Sequence, residues 1–145
     1  MGTIKVNFWV ANHRDENLAE EGVISKEKIR RVEVKNVLVD TGAMGLMLHK
    51  STIELLGLKK VKDVEIRTVG GKMFAGRYAD VKIEIEGRSE VFSCTEIAEE
   101  LPELLGLVPM EVLGLSANPV DQKLELLPET GPNAYNFCYT TFEND

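Results

Sequence analysis

Cysteine and histidine are scarce in this chain, with two of each in 145 residues. Cys94 and Cys138 stand alone, without the C-x-x-C spacing that zinc or dithiol redox chemistry uses. Both read as thiols in a reducing compartment, with a long-range disulfide left open. His13 and His49 have no second ligand at a useful spacing, so neither a metal nor a cofactor is expected. Ser51 has no G-x-S-x-G context, so a serine hydrolase is not supported. No apolar stretch approaches the length that crosses a bilayer. Met1 to Asn7 lack a basic start followed by a long apolar run, so no signal peptide is expected. The formal net charge of −7 repels phosphate backbones and anionic lipid heads, which counts against nucleic acid and membrane surfaces as partners. Lys59-Lys60 and Arg30-Arg31 are pairs, too short for a nucleic-acid footprint. A soluble cytoplasmic protein is the expectation.

What is present is ordinary globular material. Hydrophobic residues make up 43% and charged residues 28%, which excludes disordered and fibrous classes. The length suits one domain with a real core and is short for two, so residues 1–145 are expected to form a single domain.

Alternation dominates over helical period. Val81, Ile83 and Ile85 alternate with Asp80, Lys82, Glu84 and Glu86, a strand with one wet face. Gly87-Arg88 reads as a turn and Val91-Phe92 as the start of the return strand. Val64, Ile66 and Thr68 alternate with Glu65 and Arg67, and Gly70-Gly71 separates them from a partner over Phe74 to Tyr78, a hairpin with a glycine-rich tip. Further strands fit Ile4 to Val10, Arg31 to Val34, Val37 to Val39 and Lys123 to Leu127. The polar stretch between Val10 and Ile29 reads as loop. Two short helices are expected, Ser51 to Leu56 before Gly57 and one from near Pro109 to Gly114, since Pro suits a first turn and Gly the residue past the end. The tail, Gly131 to Asp145 with Pro132, Phe137 and Tyr139, is expected to finish with a strand. The pattern predicts an all-β domain with one or two short helices.

The chemistry-bearing segment is Val37-Leu38-Val39-Asp40-Thr41-Gly42-Ala43. Three apolar residues form a buried strand that ends in a carboxylate, and a rigid strand end holds such a group as catalysis requires. Gly42 lets the backbone turn close enough for its N–H to reach the carboxylate, and the Thr41 hydroxyl can brace the turn. An Asp-Thr-Gly triplet alone arises by chance in on the order of three chains in a hundred of this length, and an Asx-type turn is its plain explanation. Asp80 and Asp121 are the candidate partners for Asp40 within one chain, but Asp80 lies on the polar face of its strand, where a solvated charge is expected. His13 and His49 as a general base lack a second group at a useful spacing.

The flanking order carries more weight. Two apolar residues precede Asp40-Thr41-Gly42-Ala43, and Leu104-Leu105-Gly106 repeats an apolar-apolar-Gly element 64 positions after Gly42. Between them stands the hairpin tipped by Gly70-Gly71, and after them Val112-Leu113-Gly114-Leu115 and Gln122-Lys123-Leu124-Glu125-Leu126. Over about Val37 to Pro128 the chain resembles the retropepsin-like aspartic proteases, the single-lobe relatives of pepsin, and in order of elements their small bacterial members. The resemblance implies a small closed acid-protease barrel, one lobe per chain, and an endopeptidase acting on peptide or protein substrates. It implies Asp40 as catalytic residue with Thr41 and Gly42 bracing it, and Ala43 beside the substrate backbone. It also implies a flap near Val69 to Gly76, with Gly70 and Gly71 at its tip and Phe74 facing substrate, and Leu105 and Gly106 supporting the turn from behind.

Aspartic proteases use two carboxylates that share one proton, because two like charges a few ångströms apart cannot both ionise cheaply. The chain has one such triplet, so the resemblance implies a two-fold homodimer with Asp40 from each subunit at the axis. Two positions depart from the pattern. Met44 stands where a hydroxyl or acidic residue is common, which predicts an active pH range unlike that of relatives with a polar residue there. Leu107-Val108 replaces the Arg-containing pair that braces retroviral dimers, so a dimer needs other contacts, with paired terminal strands one option. The rival reading is a catalytically silent binding or dimerisation module on the same fold.

Overall fold

The computed structural model describes residues 3–135. Nine strands and three short helices follow one another as β1 (Lys5–Asn12), α1 (His13–Glu20), β2 (Arg31–Val39), β3 (Leu46–His49), α2 (Lys50–Leu56), β4 (Lys59–Thr68), β5 (Gly71–Ile85), β6 (Arg88–Ile97), β7 (Leu104–Leu105), α3 (Leu107–Leu113), β8 (Leu115–Asn118) and β9 (Lys123–Leu126). One sheet runs β1-β2-β7-β3-β6-β5-β4, and a further β1–β5 pairing closes its first six strands into a ring. β4 lies outside the ring as its one-sided extension, and β8 and β9 form a separate hairpin. The expected closed all-β fold is thus met.

The alternating residues fill the ring. Val10, Val37, Leu46, Leu48, Val81, Ile83 and Leu105 are buried there with Ile53 and Leu56 of α2 and Leu113 of α3. Each fully buried aliphatic side chain contributes about 1.5–3 kcal/mol. Cys94 sits in the same core, and burial pushes its thiol up to about 12. Cys138 and the expected terminal strand lie outside the described residues.

Several boundaries move. The two short strands expected on either side of Lys35-Asn36 are one strand, β2, in which Asn36 takes a left-handed conformation (φ 57°) and donates its N–H to Asn7 Oδ1 at 2.9 Å. Phe74 to Tyr78 and Asp80 to Glu86 are likewise one fifteen-residue strand, β5. Its register slips between Tyr78 and Val81. The inward parity therefore changes from Gly76 and Tyr78 to Val81, Ile83 and Ile85, which is why a period-two pattern breaks it in the sequence. The β5–β6 turn is centred on Glu86-Gly87, both with positive φ, and Ile85 faces Arg88 across it.

The polar stretch expected as loop contains α1. Its helix has almost no apolar face, but Asn12 caps it by accepting the Asp15 N–H at 3.0 Å, and Asp15 and Glu16 stand in its first turn, the polar start signal of a helix. α2 and α3 fall where expected, each ended by a left-handed glycine, Gly57 (φ 64°) and Gly114 (φ 68°), as a C-terminal glycine should. β3, β7 and β8 have no counterpart in the sequence pattern. Among the described residues no helix is long and apolar enough to cross a membrane.

Candidate active site

Asp40 leaves the end of β2 with its backbone held on both sides. β2 runs parallel to β7, Leu38 beside Leu104 and Val39 beside Leu105. The Leu38 N–H donates to the Glu103 carbonyl at 2.9 Å, and the Asp40 N–H to the Leu105 carbonyl at 3.0 Å. The chain then turns: Ala43 N–H bonds the Asp40 carbonyl at 3.1 Å, and Gly42 N–H bonds the Asp40 Oδ1 at 2.9 Å. Beyond the turn, the Ala43 and Met44 carbonyls accept the N–H groups of Leu107 and Val108, each at 2.8 Å. β7 is therefore threaded between β2 and β3, pairing parallel with one and antiparallel with the other.

Gly106 is the pivot of this knot. A Cβ there would stand 2.6 Å from the Ala43 carbonyl oxygen, 2.8 Å from the Gly45 nitrogen and against the Gly45 carbonyl, closer than real carbon atoms come. Leu105 before it is fully buried. The segment leading into β7 is tied down by Glu103, a buried carboxylate that accepts the His49 N–H at 2.9 Å and the Thr52 hydroxyl at 2.8 Å. Glu99 holds the first turn of α2 through the Ser51 N–H and hydroxyl, and these bonds keep its carboxyl below the usual range. Glu103 is the supporting residue that sequence reasoning missed; its only local sign is an acid directly before Leu104-Leu105-Gly106.

The start of β2 has its own brace. Asp15, buried on α1, accepts the Arg30 backbone N–H at 3.0 Å and its guanidinium through two bonds of 2.8 and 3.0 Å. The guanidinium hydrogen bonds hold the Asp15 carboxyl below its ordinary value. Asn12 adds a bond from its side-chain amide to the Leu56 carbonyl, 2.8 Å, linking α1 to the end of α2.

The residues expected at the site fall into two groups. Asp40, Gly42 and Ala43 meet Leu105 and Gly106 in the hydrogen-bonded knot. Thr41 is exposed, and its hydroxyl makes no hydrogen bond among the described residues. Gly70, Gly71 and Phe74 lie on the β4–β5 hairpin, where Gly71 takes a positive φ of 114° and the Thr68 hydroxyl bonds the Gly71 carbonyl at 3.0 Å. Phe74 is 71% exposed. Asp40 itself is half-buried and opens onto the surface. Two surface hollows, about 570 and 330 Å³, are lined by other residues, the first by Leu18, Val23, Ile24 and Arg30 among them, the second around Trp9. Asp80 and Asp121 are both exposed, and Asp121 accepts the Asn118 amide at 3.1 Å. Among the described residues no three metal-capable side chains cluster.

One carboxylate at a rigid strand end, reached by a glycine N–H and open to solvent, can accept a proton from water or donate one, according to its charge state. A family model described as aspartyl protease matches residues 26–116, from the turn before β2 to the start of β8. That span is well over half of the chain and contains both the knot and the hairpin. No curated protein matches significantly.

Proposed function

The chain belongs to the aspartyl protease family, and from that membership we propose that it is an endopeptidase assembled from two copies, with Asp40 of each supplying half of the catalytic pair. The single observation that carries this reading is the setting of Asp40: its backbone N–H donates to the Leu105 carbonyl, and its one carboxylate accepts the Gly42 N–H on an open face. Met44, just past the turn, is 69% exposed, and Val108, whose N–H bonds the Met44 carbonyl, is 40% exposed. Such a surface suits burial against a second copy about a two-fold axis, and stands in place of the arginine brace that the sequence lacks.

In the pair, two Asp40 carboxylates share one proton, because two like charges so close cannot both ionise cheaply. The ionised one takes a proton from the attacking water while the other donates to the peptide carbonyl oxygen, giving a tetrahedral intermediate. The substrate lies extended, as an added strand, beside Ala43. The hairpin tipped by Gly70 and Gly71 closes over it with Phe74 against its side chains. Residues 1–145 act as one unit in this scheme. A silent binding module would use the same exposed face for association alone.

The test is cleavage of a mixed peptide library across acidic to neutral pH, at low and high protein concentration, beside Asp40→Asn. Loss of a general acid–base group costs about 10²–10⁴-fold, so cuts should vanish in the variant. Cleavage per subunit should also rise with concentration. Equal cleavage by the variant refutes Asp40, and a rate per subunit independent of concentration refutes the pairing. Absence of cuts from both proteins, with no tight binding of a tetrahedral-intermediate mimic, favours the silent module.

A further inference from the structure

The hairpin is a basic element on an acidic protein. Residues 59–77 hold six lysines and arginines against Asp63 and Glu65, a charge of +4, while the whole chain carries −7, leaving −11 for the rest. The pairing register makes this sharper than composition does. Arg67 stands directly across from Lys72, and Lys62 directly across from Arg77. Like charges opposite one another on a sheet destabilise it. Yet among the described residues none of these four side chains has a carboxylate within ion-pair distance. The one ion pair internal to the hairpin is Lys60–Asp63, at 2.6 Å. Elsewhere cations do meet acids: Arg30 with Asp15, Arg31 with Glu84, Lys82 with Glu16 and Arg88 with Glu129.

Protection of an open sheet edge by lysine accounts for part of this, since Lys59, Lys60 and Lys62 lie on the edge strand β4. It does not account for like charges set directly across from one another, Arg67 facing Lys72 at the tip and Lys62 facing Arg77 where β5 also pairs with β6. Repulsion left standing across two strands, in a chain with 24 acidic residues, is explained by an anion that arrives from outside. We infer that the hairpin selects acidic peptides through Arg67 and Lys72, which share the face of Phe74. The inference rests on the reading of the chain as a peptidase whose hairpin covers the substrate. Carboxylates flanking the scissile bond then meet these two side chains, and relieve the cross-strand repulsion between them on binding.

Binding can be read apart from turnover with the Asp40→Asn protein and fluorescence anisotropy. The probes are short labelled peptides with an apolar centre flanked by Glu, and the same peptides with Gln. Two exposed charge pairs give on the order of tenfold tighter binding of the Glu form. Arg67→Glu combined with Lys72→Glu should abolish or reverse that preference. A control of equal charge change, Lys5→Glu with Lys123→Glu, should leave it intact. Equal binding of the two peptides overturns the inference, as does a preference that the control removes as fully as the hairpin variant. Tighter binding of a single-stranded oligonucleotide of the same charge overturns it in favour of nucleic acid. Cleavage of the Gln peptide alone by the natural protein retains the peptidase and refutes acidic selection. Glu-dependent binding without any cleavage refutes the peptidase and retains the surface.

Discussion

Around Asp40 the backbone is held from both sides: Leu105 and Glu103 carbonyls on β2, Leu107 and Val108 amides on the turn, Gly106 wedged against Ala43 and Gly45. The hairpin that carries Phe74 has no such frame. β4 has a single neighbour, β5, and its side chains are exposed apart from half-buried Val64 and Ile66. Under the proposed function, the contrast shows where each kind of precision is needed. A carboxylate that moves protons must be held to fractions of an ångström, and hydrogen bonds from several segments at once do that. A lid over a substrate must move, and elements that move come from the parts with few buried apolar contacts.

The contrast is tested most strongly by adding one methyl group on each side. Gly106→Ala places a carbon against backbone that cannot yield, and should cost about 3 kcal/mol or more in urea denaturation, with activity lost. Gly71→Ala meets no atom within 4 Å. Only its positive φ opposes the substitution, so it should cost about 1 kcal/mol. Similar losses at the two positions would break the comparison.

A middle effect should come from the brace at the start of β2. The Asp15 carboxyl lies below its usual value of 3.8 in the folded protein because the Arg30 guanidinium bonds it. A depressed carboxylate stabilises the fold above its unfolded value and loses that contribution as pH falls through the folded value. Asp15→Asn should therefore lower stability most near neutrality, and the gap from the natural protein should close below about pH 4. Denaturation curves from pH 7 downward read this directly. A gap that stays constant with pH would show that packing, not charge, holds α1 to β2.

The smallest effect on stability belongs to Phe74→Ala. At 71% exposure its ring adds little to the fold, so the change should stay within about 0.5 kcal/mol. If the side chain contacts substrate, KM should rise several-fold while the melting temperature hardly moves. A large loss of stability would mean that the hairpin tip packs as a part of the core, against the division drawn above.

Much of this is legible in the sequence. The alternation of Val81, Ile83 and Ile85 marked a half-wet strand, Gly70-Gly71 marked a hairpin tip, and Gly57 and Gly114 marked helix ends, because each of these follows from a few neighbouring residues. The triplet at Asp40 and the Leu104-Leu105-Gly106 element marked the candidate site. What escaped has a common cause. α1 has no apolar stripe to give it a period, and shows itself only through the cap at Asn12. β5 looked like two strands because a register slip at Tyr78 to Val81 reverses which parity faces inward. Glu103 looked like any charged residue before an apolar pair.

By itself, then, the sequence determined the local features: the Asp40 turn with its glycine, the alternating strands, the glycine-terminated helices and the acidic surplus. Only the tertiary structure decided that Leu104 and Leu105 form a strand between β2 and β3, that Glu103 braces α2, and that Arg67 faces Lys72 and Lys62 faces Arg77. The reason is physical. A turn or an alternating face is dictated by bonds and side-chain directions within a few residues. The partner of a two-residue strand is instead set by the path of the whole chain. Leu38 meets Leu104 because sixty-odd intervening residues close the ring around them.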